Sequence, residues 1–182
     1  KSLCYQIPSL CREGVGVIVS PLIALMQDQI TALAQLGISA GAINSSMSDR
    51  EVFMVKDKLE RNDLDLLYVA PERLVMPDFV ELLKTVKIAL FAIDEAHCVS
   101  QWGHDFRPDY TALSFLAERF KGIPRIALTA TADRATRKDI IERLKLEGGK
   151  TFIGGFDRPN IHYSILERNN PKKQVYDFIM NN

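Results

Sequence analysis

Apolar positions along this chain arrive in short unbroken runs rather than in strict alternation. "VGVIVS" begins at Val15, "LDLLYVA" at Leu64, "IALFAI" at Ile88 and "RIALTA" at Arg125. Runs of this length, rich in branched residues and free of polar alternation, suit strands buried on both faces. "ISAGAI" reads as a further short strand, and "TFIGG" from Thr151 as a final one. Helical stretches separate them. The chain opens on a helix that Pro8 should bend, and Pro21 sits where a helix favours its first residue, introducing a helix over Leu22 to Leu36 stopped by Gly37. Ser48-Asp49-Arg50-Glu51 has the form of a capping box ahead of a helix running toward Leu59. Short helices follow at Pro71 to Leu74 and Pro77 to Thr85, then one near Tyr110 to Phe120 and one from Asp133 to Leu144. Strands alternating with helices predict an α/β fold with a central, mainly parallel sheet covered on both faces.

Composition narrows the picture. With 182 residues and 47% hydrophobic content, the chain can build one sizeable core, since a domain of this length buries roughly 70% of its unfolded surface. "LERNNPKKQ" reads as a linker, after which "VYDFIM" starts a further helix. Twenty-three basic residues balance twenty-three acidic ones, so any binding of a polyanion must be local. Cys4, Cys11 and Cys98 lack a C-x-x-C spacing, which argues against a disulfide framework or a structural zinc site and for a reducing interior. The longest apolar run, "VGVIVSPLIALM", is interrupted and shorter than the roughly 20 residues of a membrane span. No signal-peptide pattern opens the chain, so a soluble intracellular protein with no membrane partner is expected.

The most informative stretch is "IALFAIDEAH", in which a buried strand delivers Asp94 and Glu95 to its carboxyl end. Open parallel sheets bind their ligands there. A strand-end Asp-Glu pair standing alone more often merely caps a helix. Here it accompanies Lys1-Ser2, the closing letters of the phosphate-loop pattern G-x-x-x-x-G-K-[ST]. In such ATPases the lysine grips phosphates, the hydroxyl and the strand-end aspartate hold Mg²⁺, and a neighbouring carboxylate can orient or deprotonate the attacking water. "SQWGHDFRPDY" adds Trp102, His104, Phe106 and Arg107, flat faces for bases beside a fixed cation; Trp102 and Phe106 equally suit core anchors beneath a loop.

"DEAHCVSQWGHDFRPDY" closely resembles the RecQ family of ATP-dependent DNA helicases, and "SPLIALMQDQ", "YVAPERL", "ALTATA" and "FDRPNI" match further family segments in the same order. The resemblance implies a RecA-like P-loop NTPase fold, with residues 1–166 as the first RecA-like domain and 167–182 as a linker and the start of a second. It implies 3′-to-5′ unwinding driven by ATP with Mg²⁺, acting on single-stranded and duplex DNA in repair and recombination. Lys1 and Ser2 would then belong to the nucleotide site, Asp94 and Ser2 to Mg²⁺, and Glu95, Asp94 and Lys1 to catalysis. His97 would connect the ATP site to neighbouring motifs, and Thr129 and Thr131 would couple hydrolysis to strand separation. Trp102, His104, Phe106 and Arg107, together with Ser20 and Arg73, would contact DNA.

The family's glycines of the phosphate loop and its second domain lie outside this sequence, so the chain is expected to be a fragment with little activity of its own. A bacterial source would imply a cytoplasmic, nucleoid-associated protein, and a eukaryotic source a nuclear one. Three other readings are a metal-dependent hydrolase using Asp94, Glu95, His97 and His104, a non-catalytic nucleic-acid-binding module, and an RNA helicase of the wider superfamily.

Overall fold

The computed structural model describes residues 1–101, 105–155, 160–162 and 164–181. Trp102 and His104 therefore lie outside the described residues. The chain divides into two compact units, Lys1–Gly149 and Lys150–Asn182.

The first unit is built on a five-stranded sheet of order β2-β3-β1-β4-β5, with β1 at Val15–Val19, β2 at Ala40–Ile43, β3 at Leu66–Val69, β4 at Ile88–Ile93 and β5 at Arg125–Ala127. Every neighbouring pair is parallel. Strand residues alternate between two cores, as the two-residue period of a strand requires. Val17, Val19, Leu67, Val69, Phe91 and Ile93 join one apolar cluster, which also takes Leu59, Leu83, Tyr110, Leu116 and Ile140 from the helices and turns. Ile18, Leu66, Tyr68, Leu90 and Ala92 join the other, with Tyr5, Met26 and Leu33. The sheet is thus covered on both faces, as the unbroken apolar runs predict.

One face is covered by α1 (Leu3–Leu10) and α2 (Ile23–Gln35). The other carries α3 (Asp49–Glu60), α4 (Pro71–Leu74), α5 (Pro77–Thr85), α6 (Pro108–Ala112), α7 (Phe115–Arg119) and α8 (Arg134–Arg143). The α3 capping box is formed: Ser48 Oγ accepts from Glu51 N–H and Glu51 Oε2 accepts from Ser48 N–H at 2.8 Å. The approach of α1 to the sheet depends on Gly16, where an added Cβ would lie 2.1 Å from Ser9 Oγ.

Three sequence expectations need correction. Pro21 precedes α2, whose N-cap is Leu22 in extended conformation, because two further residues are needed to turn the chain out of β1. The single helix expected near Tyr110 to Phe120 is two short helices broken at Leu113–Ser114, which lets both Tyr110 and Leu116 reach the core. "TFIGG" forms no strand: residues 151–155 are exposed throughout, and a strand needs a partner for its hydrogen bonds and a surface to bury its apolar side chains.

The second unit contains α9 (Pro171–Asn181), with no buried residue and with Val175, Tyr176, Phe178 and Ile179 exposed.

Candidate functional site

In a parallel sheet the residues that follow the strands emerge along one edge. Ser20 N–H donates to Val69 O, Ala70 N–H to Ile43 O, Asp94 N–H to Val19 O and Leu128 N–H to Ile93 O, so Ser20, Asn44, Ala70, Asp94 and Leu128 occupy one row at the carboxyl edge. Ser20, Asn44 and Asp94 are the polar members of that row, and all three are buried.

Asp94 stands beside the central Ser20, because β4 lies between the central strand β1 and the edge strand β5. Its Oδ1 accepts the Glu95 N–H at 2.9 Å, and its backbone carbonyl accepts the Tyr110 hydroxyl at 2.9 Å. Burial raises the Asp94 carboxyl above the ordinary carboxylate range, an effect only partly offset by the Glu95 N–H and the Lys1 ammonium. Glu95 adopts the left-handed conformation, φ 46°, ψ 43°, and leads into a 3-10 turn at Ala96–Val99. That reversal makes the chain leave the sheet edge at once, and it presents two adjacent carboxylates to Lys1. Lys1 Nζ donates to Glu95 Oε1 at 2.7 Å and lies 3.8 Å from Asp94 Oδ1. Side-chain exposures of 36% for Lys1, 19% for Glu95 and 7% for Asp94 grade the group from open at the ammonium to closed at the aspartate.

Residues ninety-four positions apart in the sequence thus share one ion-paired group. Ser2, beside Lys1, is the N-cap of α1, and its side chain makes no capping bond to that helix. The oxygen donors of Ser2 and Asp94 are of the hard kind that Mg²⁺ takes.

The structure brings His97 and Thr129 into the same region. His97 Nδ1 lies 3.0 Å from Thr129 Oγ1 and 3.4 Å from Glu95 Oε2, while Thr129 Oγ1 bonds both the carbonyl and the N–H of Thr131. A continuous polar path therefore runs from Lys1 through Glu95 and His97 to Thr129 and Thr131. Beyond the turn, Arg107 pairs with Asp105 at 3.2 Å, which holds the Asp105 carboxyl below its usual range. Phe106 is partly exposed. Ser20 is 2% exposed and its hydroxyl accepts the Leu22 N–H at 3.5 Å, so it offers little side-chain surface. Arg73, on α4, places Nη1 3.6 Å from Met76 Sδ.

Two supports escape a reading of motifs. Tyr110 is the last letter of "DFRPDY", yet only the folded chain brings its hydroxyl to Asp94. Ser100 Oγ donates to Asp139 Oδ2 at 2.9 Å, joining the segment after the 3-10 turn to α8, and nothing in the spacing of these residues announces the pair. His104 lies outside the described residues, and Asp94, Glu95 and His97 do not assemble as a ligand set among them; the group of three such side chains found there is His97, Cys98 and Asp105.

Residues 1–140 match the family model described as DEAD/DEAH box helicase. The chain belongs to the DEAD/DEAH box helicase family. Within it, the chain is 50% identical over 180 residues to the ATP-dependent DNA helicase RecQ of Pasteurella multocida, covering 99% of this chain and 28% of the relative. RecQ of Bacillus subtilis is 41% identical over 100% of this chain and 31% of its own length, and ATP-dependent DNA helicase Q1 of Rattus norvegicus 42% over 100% and 30%. The chain thus spans about 30% of the length of these relatives. The crystal structure of the Pyrococcus furiosus Hef helicase domain shares the fold, with a TM-score of 0.53 at 18% identity over 80% of this chain and 30% of that one. The RecA-like α/β fold expected from the sequence is therefore the observed one. Among the described residues, no helix is long and apolar enough to cross a membrane.

Proposed function

We propose that this chain is the nucleotide-hydrolysing half of a RecQ-type, ATP-dependent 3′-to-5′ DNA helicase motor acting in repair and recombination. The observation that carries the reading is the ion-paired group of Lys1, Asp94 and Glu95 at the carboxyl edge of a parallel sheet, where α/β folds bind nucleotides. The names of the RecQ relatives support both ATP and DNA as its substrates. Ser2 and Asp94 would hold Mg²⁺, whose positive charge would offset the negative charge that develops on the phosphates.

The protein's own residues account for the remaining roles. Lys1, held between two carboxylates, is placed to exchange that pairing for a phosphate. Glu95, less buried than Asp94, is the group that orients the attacking water and accepts its proton. His97 and the Thr129–Thr131 turn connect this carboxylate to the neighbouring strand end, a short physical route for coupling hydrolysis to DNA. Phe106 and Arg107, with Trp102 and His104, form the DNA-sensing loop, and Arg73 and the chain after Ser20 extend the DNA face along the same edge. The domain reading, 1–166 as the first RecA-like domain and 167–182 as a linker and the start of a second, is supported by the exposed apolar side chains of α9, which suit a helix that packs against further chain.

In the full-length protein, Glu95→Gln should abolish DNA-stimulated ATP hydrolysis while leaving nucleotide affinity within about threefold, because the amide keeps the shape and loses the base. Hydrolysis at the wild-type rate would remove Glu95 from the mechanism. The metal-dependent hydrolase reading has no assembled ligand set at Asp94 and Glu95 among the described residues.

A further inference from the structure

We propose that His97, Cys98 and Asp105 form a binding site for a borderline-soft dication of the zinc class, distinct in chemistry from the Mg²⁺–nucleotide site. One ligand atom from each of the three lies within 4.8 Å of the others. The chain path creates this meeting. The 3-10 turn presents His97 and Cys98 in succession, and Arg107 N–H then donates to Cys98 O at 2.9 Å, closing a loop that folds Asp105 back over the thiol. No C-x-x-C or H-x-x-x-H spacing is involved, so the site is invisible to motif reading.

The distances suit a metal. Cys98 Sγ lies 3.7 Å from Asp105 Oδ2. With zinc–sulfur and zinc–oxygen bonds of about 2.3 and 2.0–2.2 Å, the sulfur–oxygen edge of a tetrahedral site is about 3.5 Å. The pair needs to close by only a few tenths of an ångström. Imidazole nitrogen, thiolate sulfur and carboxylate oxygen together select zinc, cobalt(II) or cadmium over magnesium, which takes oxygen alone. Outer partners are also present: Thr129 Oγ1 lies 3.0 Å from His97 Nδ1, and Arg107 holds the Asp105 carboxylate.

Binding replaces the Cys98 S–H bond by a sulfur–metal bond, and the thiol proton leaves to solvent. The imidazole and the carboxylate donate lone pairs, and water fills the fourth position. Such an ion would clamp the 3-10 turn to the 105–107 segment, fixing His97, which lies 3.4 Å from Glu95. It would act as a brake on the site rather than as part of its chemistry.

The test uses Co²⁺ and the reduced chain carrying Cys4→Ser and Cys11→Ser; both cysteines are exposed and neither belongs to the cluster, so Cys98 is the only thiol. The expected result is a near-ultraviolet thiolate-to-cobalt charge-transfer band that saturates at one equivalent and is displaced by Zn²⁺. Cys98→Ala should abolish the band. Asp105→Asn, outside the core, should keep the circular dichroism of the parent and weaken cobalt binding by at least roughly tenfold, the lower end of the loss seen for disturbed metal surroundings. Absence of the band in a natively folded chain, or equal affinity with Asp105→Asn, would overturn the proposal. Magnesium at Asp94 produces no thiolate band, so the result does not depend on the nucleotide reading.

Discussion

The Tyr110 hydroxyl donates to the backbone carbonyl of Asp94 at 2.9 Å, tying the first turn of α6 to the strand end that carries both site carboxylates. Tyr110 is completely buried, and burial pushes its phenol far above the ordinary range, so it remains a donor at every accessible pH. Tyr110→Phe keeps the ring and deletes this bond. Urea denaturation of the variant should show a loss of about 1–3 kcal/mol, the cost of leaving a buried polar group without its partner. An unchanged midpoint would mean that the Asp94 carbonyl finds another donor.

Asp94 itself makes stability depend on pH. Because its folded pKa is raised, the folded chain holds this proton more tightly than the unfolded chain does. The resulting penalty is absent below the unfolded value of about 3.9, grows as pH rises from there, and is complete above the folded pKa. Asp94→Asn removes the titration. The unfolding free energy of the variant minus that of the wild type should therefore become more positive between acidic and neutral pH. A difference that stays flat across this range would contradict a burial cost at Asp94.

Close packing of α1 on β1 gives a third expectation. The Cβ of an alanine at position 16 would stand 2.1 Å from Ser9 Oγ and 2.5 Å from Ser9 Cβ. Gly16→Ala should destabilise the chain by about 1–3 kcal/mol through overpacking. Adding Ser9→Gly removes the clashing atoms, so in chemical denaturation the double variant should lose less than the two single losses combined.

The cysteines should separate by reactivity. Burial pushes the Cys98 thiol up to about 11, whereas Cys4 and Cys11 are exposed. A disulfide reagent at neutral pH should titrate two thiols rapidly in the folded chain and the third only on unfolding, since the thiolate is the reactive form. Three equally fast thiols would show that the Cys98 environment opens readily.

Much of this architecture was legible because strands and helices are local. "IALFAI" could be assigned to a buried strand without knowing its neighbours, and Ser48 with Glu51 declared a helix start within four residues. "TFIGG" failed as a strand for the opposite reason: its apolar residues are a local signal, but Phe152 is 89% exposed and nothing in the chain's composition reports whether a pairing edge is within reach.

The sequence by itself determined the α/β alternation, the two-faced burial of the sheet and the candidate carboxylates, since periodicity, turn residues and strand-end chemistry are written in consecutive residues. Tertiary structure alone decided that Lys1 reaches Glu95, that Tyr110 holds Asp94 from behind, and that Asp105 closes over Cys98. These contacts depend on strand order and on the left-handed turn at Glu95, which set distances between residues that no spacing along the chain encodes.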